Sequence, residues 1–522
     1  MENDHWAYQL ADNLAKKHHH KKIICASGIS PSGPVHIGNL REAITTDFVY
    51  KSLIQTGVDA EFIFSWDDFD KLRKVPFGMP ESLRPSIGKP YTSIEDPLGE
   101  YSSYAERFEK PFEAALSELG ITPRFIRQTE MYRSGCYDEQ IKLALSERSK
   151  IAAILARNMT QGMTEEQKTN YFPIVLYSRF TGKDNTRVVS YDGDSGLTYL
   201  CHDSGKKDTI DFTKERIVKL PWKIDWPMRW AFEGVDFEPG GPDHASPGGS
   251  YDVAKQIALE VFKKTPPDFQ EYQFVRVKGE NAKMSGSIGN VITPIELLRV
   301  YPPDLIRWIY AKVHPLSVLD VAFDQDVIRN YAEFDRLANN TVRSPIEEKL
   351  ATLSGIPFSE TAPQISFKTL LGLGEATDFN ESAVFGLLNK MGMPFDPSTT
   401  AKRLERGNYW LSNHFTEGRS TLLDTFNSEY YHNLSPLEQS HIARLRELVS
   451  ASSGSSLEEV EHAIYGIPKV DGMTEKEKKH AQKMFFTNVY ALLFGKSSGP
   501  RLPTYIWGSS SKNRLETLLG SQ

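Results

Sequence analysis

Over residues 5–70 the apolar positions change period three times. Trp6, Leu10 and Leu14 recur near the helical repeat, which predicts a helix over 5–17. The apolar run KKIICASGI (21–29) predicts a buried strand, and NLREAITTDFVYKSLIQTG (39–57) predicts an amphipathic helix closed by Gly57. DAEFIFSWDDFD (59–70) returns to strand. Strand, helix and strand in that order make a βαβ unit, the opening of a parallel nucleotide-binding sheet.

Further on, residues 70–100 are rich in Pro and Gly and predict an irregular loop, whereas 103–120 and 137–159 each predict a helix. Between 171 and 218 the β-prone stretches YFPIVLYS, TRVVSYDG, LTYLCHD and DTIDF predict a small β insertion. PWKIDWPMRWAFEGVDFEPGGPDHASPG (221–248) is crowded with aromatics, Pro and Gly and predicts ordered functional loops. A helix over 251–262 and a strand over 272–277 follow, and from about 324 nearly everything reads as helix.

Composition narrows the class. At 522 residues, 39% hydrophobic and 25% charged, the chain predicts a multidomain globular protein without a membrane span. The polar N-terminus lacks the apolar core of a signal peptide, and Cys25, Cys136 and Cys201 lie too far apart for a disulfide framework, so a cytoplasmic location is expected. A net charge of −7 confines any nucleic-acid partner to a local basic surface.

The turn CASGISPSGPVHIGNLREA (25–43) separates three phosphate-binding devices. Gly28, Gly33 and Gly38 do not fit GxGxxG, and Pro34-Val35 stand where a P-loop needs Lys and Ser/Thr. What remains is His36 and Asn39 on the first turn of a helix, where free N–H groups and the helix dipole favour phosphate. Gly38 between them keeps the helix surface bare.

PSGPVHIGN resembles the HIGH signature of class I aminoacyl-tRNA synthetases, and KMSGS (283–287) resembles the KMSKS loop of the same class. With SWDDFDKLRKVP, SYAERF, WKIDWPMRW and GVDFEPGGPDH, the chain resembles the class I lysyl-tRNA synthetases of archaeal type; LLFGKSSGPRLPTYI (492–506) is a weaker echo of that family's end. The resemblance implies an α/β fold: a Rossmann-type parallel-sheet catalytic domain (1–100 and 219–323), a helical and then small β insertion (101–218), and an all-α anticodon-binding region (324–522). It implies ligation of L-lysine to tRNA(Lys) through a lysyl-adenylate, with ATP as co-substrate, Mg2+ accompanying the ATP, and a monomeric enzyme. Asn39 stands where the class has His, and Gly286 where it has a second Lys, which leaves Lys283 as the loop's phosphate-facing cation with Lys278 just upstream. Zinc-binding Cys/His clusters occur in archaeal relatives; here the insertion offers only Cys201 and His202, short of the four ligands of a structural site, so no zinc is expected.

Roles follow from that resemblance. His36, Asn39 and Lys283 are the implied catalytic residues, acting on the triphosphate, and the ATP site adds Pro31, Ser32, Gly33, Gly38, Met284, Ser285, Gly286 and Ser287. The lysine site is implied at Ser27, Gly28 and Ser30, with carboxylates sought among Asp67, Asp68, Asp70, Asp225 and Asp243. Trp66, Trp222, Trp226, Trp230 and Tyr272 are candidate walls and His244 a polar partner. Arg229 is compatible with holding a substrate anion or with a structural ion pair. Between Glu477 and Glu516 the chain is free of acids but carries Lys483, Lys496, Arg501, Lys512 and Arg514, interleaved with Phe485, Phe486, Tyr490, Phe494, Tyr505 and Trp507. Cations for phosphates and rings for bases suit RNA, and the rings suit a helical core equally. Two other classes were weighed: a nucleotidyltransferase, disfavoured by the long helical half, and a non-catalytic RNA binder, disfavoured by the presence of both His36 and Lys283.

Overall fold

The computed structural model describes residues 4–18, 21–246, 248–279, 291–356, 364–452, 454–470 and 472–520. It divides into two compact units, one of residues 1–298, 303–321 and 342–357, the other of the remainder.

The first unit opens with helix α1 (Trp6–Lys17), strand β1 (Ile23–Ile29), helix α2 (Ile37–Gln55) and strand β2 (Ala60–Trp66). Helix α3 (Tyr104–Glu118) leads into strand β3 (Arg124–Arg127); helix α4 (Trp222–Glu233), strand β4 (Phe237–Gly240) and strand β5 (Asp268–Glu271) follow the insertion. The five strands form a parallel sheet in the order β5-β4-β1-β2-β3. After β1 the chain adds strands on one side, and after the insertion on the other. The order therefore reverses at the carboxyl end of β1, the switch point where such sheets open a crevice.

Helix α2 differs from the one-sided amphipathic helix predicted. Apolar Ile37, Leu40, Ile44, Phe48 and Leu53 are buried, and so are Arg41, Thr45, Thr46 and Asp47. The polar ones are satisfied inside: Arg41 donates to the carbonyls of His314, Pro315 and Ser317, and Asp47 meets Arg307 at 2.8 Å. Packing on several sides, not a single apolar stripe, places this helix.

Residues 221–248 also differ from expectation. The segment predicted as loops forms α4, β4 and a short helical turn, Pro242–Ala245. Pro227 sits within α4. Trp222, Trp226 and Trp230 recur every four residues; the first two rings stack with centroids 5.0 Å apart, and the second and third meet tilted at 4.9 Å. That stack outweighs the cost of an internal proline. The single helix predicted over 137–159 is two, Asp138–Ser146 and Arg148–Arg157, broken at Glu147. In the insertion, strands Thr186–Tyr191, Gly196–Cys201 and Lys207–Asp211 make an antiparallel sheet, and Leu197, Tyr199, Cys201 and Ile210 are buried in one cluster.

The second unit contains only helices among its described residues, from Asp326–Asn339 to Lys512–Leu518. Helix Pro345–Ser354, although inside the region predicted as all-α, falls in the first unit, where Arg307 donates to the Leu353 carbonyl at 2.7 Å.

Candidate active site: two pockets around one strand end

Helix α2 begins where the sequence placed its phosphate device. His36 is the N-cap; its Nδ1 accepts from the Gly38 N–H at 3.1 Å, while the Asn39 side-chain oxygen accepts from the His36 N–H at 3.2 Å. The two residues form a reciprocal capping box built from His and Asn instead of Ser and Glu. Gly38 has a more specific reason than a bare surface: a Cβ there would lie 2.8 Å from the His36 ring. Beside this helix end lies a pocket of about 400 Å3, lined by Ser32, Gly33, His36 and Asn39 on one side and by Asp70, Arg73, Lys74 and Tyr91 on the other. Pro31 and Gly38 support the turn without forming the wall. Ser30, assigned to the amino acid, faces this pocket instead, within hydrogen-bond reach of the Tyr91 hydroxyl. Arg73 and Lys74 supply cations that were passed over, although the run KLRK after β2 carried the signal.

Behind the turn is a second cavity, about 50 Å3, bounded by Ser27, Gly28, Glu42, Ser65, Asp67, Gln128, the three tryptophans of α4, Arg229, Glu233, Glu238 and His244. At roughly 10–15 Å3 per water, it has room for about four water-sized groups. Gly28 is required because a Cβ would meet the Ser65 carbonyl at 2.9 Å across the β1–β2 register. The hydroxyl of Ser27 and Nδ1 of His244 are buried without hydrogen-bond partners. Buried polar atoms left open in this way are donors and acceptors held ready for a ligand.

Four carboxylates and one guanidinium line the cavity. Glu42 accepts from the Gly28 N–H at 3.0 Å and the Tyr272 hydroxyl at 2.8 Å, yet burial pushes its carboxyl up to about 8. Glu238 accepts from Trp230 and is raised by burial to about 7. Burial also raises Asp67, with the Arg229 charge opposing it. Glu42 and Glu238, desolvated with no cation paired to them in the cavity, favour a cationic ligand. His244, its pKa lowered by burial, lies 5.3 Å from the Trp226 ring as a neutral partner.

Several sequence assignments move. Asp225, taken as a lysine carboxylate, is fully buried and engaged by Arg229, Lys219 and the Tyr132 hydroxyl, so it anchors Arg229 and does not face the cavity. Arg229 bridges Asp225 to Asp67, which assigns it the structural ion pair left open by the sequence. Asp70 faces the nucleotide-side pocket and pairs with Lys219. Asp68 accepts from the Thr129 N–H at 2.7 Å, away from both pockets. Asp243 is exposed and lies off the cavity wall. Trp66 is core, donating to Glu113 at 3.0 Å. Tyr272 acts through Glu42 and is not itself on the wall. Glu42 and Glu238 were missed, being single acids within a helix and a strand whose burial only the fold reveals. Lys283, Met284, Ser285, Gly286 and Ser287 lie outside the described residues; Ile292, just beyond them, accepts from the Ile37 N–H at 2.9 Å at the start of α2.

In the helical unit, the proposed RNA cations are mostly occupied. Lys496 donates to the carbonyls of Glu417 and Arg419, Lys512 to Ser452, and Arg514 to Leu422 and Leu423; Arg501 pairs with Glu461. These four are engaged within the helical unit. Lys483 is exposed on helix Glu475–Phe494. Phe485, Phe494 and Tyr505 are buried, and Phe486, Tyr490 and Trp507 pack on the same cluster, so these rings are core.

A parallel sheet with a helix-capped cleft and an acidic cavity at one strand end is an architecture suited to a nucleotide and a second, amine-bearing ligand. A family model described as class I tRNA synthetases (K) matches residues 4–355. The chain is 34% identical to the lysine–tRNA ligase of Streptomyces coelicolor over 99% of its own length and 98% of that protein. It is 32% identical to the lysine–tRNA ligases of Borrelia garinii subsp. bavariensis and of Pyrococcus horikoshii; these alignments cover 97% and 96% of this chain and 97% of each relative. The chain belongs to the class I tRNA synthetase (K) family.

Proposed function

We propose that this enzyme joins L-lysine to tRNA(Lys): the lysine carboxylate attacks the α-phosphorus of ATP, pyrophosphate leaves, and the aminoacyl group passes to the 3′-terminal ribose. The observation that carries the reading is the pair of pockets meeting at Ser27–His36, one with a phosphate-binding helix end and the other with desolvated acids and aromatic walls. Lysine presents two ammonium groups and a slender aliphatic stem, and the acidic cavity complements both features.

Displacement at phosphorus needs positioning and charge stabilisation more than covalent help. His36 and Asn39 release each other from the capping box to meet the α- and β-phosphates, with Arg73 and Lys74 on the opposite wall. Lys283 meets the departing pyrophosphate, and Ser285 and Ser287 support its loop. Magnesium enters with the triphosphate and needs no dedicated protein cage. Glu42, Asp67 and Glu238 receive the ammonium groups, and the tryptophans of α4 wall the stem.

The test is exchange of labelled pyrophosphate into ATP with each of the twenty amino acids. Lysine alone should drive it; exchange driven equally by another amino acid, or by none, overturns the reading.

A further inference from the structure

The two pockets share a turn. Asp67 and Asp70 stand three residues apart after β2, and the Asp70 N–H donates to the Asp67 carbonyl at 3.2 Å. Their side chains serve different walls: Asp67 bounds the acidic cavity and Asp70 the nucleotide-side pocket. The backbone between them is pinned. The Phe69 carbonyl accepts from the Tyr177 hydroxyl at 2.6 Å, and the Asp70 carbonyl accepts from the Tyr91 N–H at 2.9 Å. Any adjustment between the pockets therefore falls to side chains.

Behind the turn the same two carboxylates are joined a second time, through ion pairs. Asp67 meets Arg229 at 2.5 Å, and Asp70 pairs with Lys219. The two cations then compete for one oxygen. Oδ2 of Asp225 accepts from Arg229, while Lys219 Nζ stays 3.6 Å from that oxygen, beyond hydrogen-bond length. The other oxygen of Asp225 accepts from the Tyr132 hydroxyl. Lys219, Asp225 and Arg229 are all buried. Lys219 closes the short strand Val218–Lys219, which pairs with Val175–Leu176 where the insertion returns to α4, and it lies on the wall of neither pocket.

Three carboxylates thus share two cations, with one negative charge in excess. An ammonium ligand beside Asp67 supplies the missing charge and draws that carboxylate from Arg229. Arg229 then closes on Asp225, and Lys219, released from the shared oxygen, is left to Asp70 alone. A fully paired Asp70 repels a polyanion less than a partly paired one. We propose that Lys219 is a positioning residue that makes the two substrates bind cooperatively: lysine in the acidic cavity strengthens nucleotide binding in the neighbouring pocket. By linkage, the nucleotide strengthens lysine binding by the same factor. The inference rests on the reading that these pockets take lysine and ATP.

The experiment is calorimetric titration with a non-hydrolysable ATP analogue and magnesium, without lysine and with saturating lysine, on the parent, Lys219→Gln and Asp70→Asn. The parent should bind the analogue about fivefold or more tightly when lysine is present. Both variants should bring that ratio to about one, with opposite effects on the analogue alone. Lys219→Gln weakens it, because Asp70 is left unpaired beside the phosphates; Asp70→Asn strengthens it, because that charge is gone. General damage to the fold would weaken both, and Asp70→Asn stands by itself if Lys219→Gln fails to fold. A parent ratio near one overturns the proposal, as does a ratio that Asp70→Asn leaves intact. Weaker analogue binding by Asp70→Asn overturns it too, because that carboxylate then serves the nucleotide or its magnesium directly. A parent that binds neither ligand removes the substrate reading as well; a parent that binds both without coupling removes only this inference.

Discussion

Lysine binding should expel protons. Burial raises Glu42 to about 8 and Glu238 to about 7, so at neutral pH Glu42 is largely protonated and Glu238 about half so. An ammonium ligand stabilises their ionised forms. With both ionised in the complex, about 1.7 protons leave at pH 6.5 and about 1 at pH 7.5. The same linkage strengthens lysine binding about 25-fold between those pH values. The sign follows from the direction of the shifts: the empty protein holds protons that the complex does not, so binding tightens as pH rises. Calorimetric titration in two buffers of different ionisation enthalpy reads the proton count directly. Glu42→Gln should remove a little over half of the release at pH 6.5 and about three-quarters of it at pH 7.5, and bind lysine weakly at every pH. A proton count near zero, or an affinity flat across this range, refutes the claim that these acids receive the substrate's amines.

Four further outcomes are expected. Gly38→Ala should displace the His36 ring that its Cβ would strike at 2.8 Å, and should slow pyrophosphate exchange by about a hundredfold while lysine affinity holds; normal exchange removes His36 from the phosphates. Lys283→Ala should slow adenylate formation far more than it weakens lysine binding, and equal effects would cancel its assigned role. Arg229→Met leaves buried Asp67 without its paired cation and Asp225 with Lys219 and Tyr132 only, and should lower stability by about 3–5 kcal/mol in denaturant titrations; a loss under about 1 kcal/mol contradicts the network. A zinc chelator should leave far-UV circular dichroism and melting unchanged, because the insertion's sheet rests on Leu197, Tyr199 and Ile210; a clear loss of structure would reinstate the metal.

The legible parts of the sequence were those with a local physical cause. β1, α2 and β2 follow from period and turn chemistry, and the His36–Asn39 pair follows from the needs of a helix end. Helix α4 was hidden because Pro227 and clustered aromatics outvoted the four-residue spacing of its tryptophans. The acidic cavity was only half visible. Asp67 ends a strand beside other acids, whereas Glu42 and Glu238 become partners only when α2 and β4 pack beside β1. Nor does anything local reveal that Lys496 and Arg514 donate to neighbouring carbonyls.

The capping box at the head of α2 has a consequence for selectivity. With the His36 ring accepting from Gly38 and the Asn39 side chain accepting from His36, this helix end carries less unmet hydrogen-bond demand than an uncapped one. A stray monovalent anion gains little by opening that clasp. A nucleotide touching both residues and the cations across the pocket gains several contacts at once, so the clasp screens solutes by how many points they can hold.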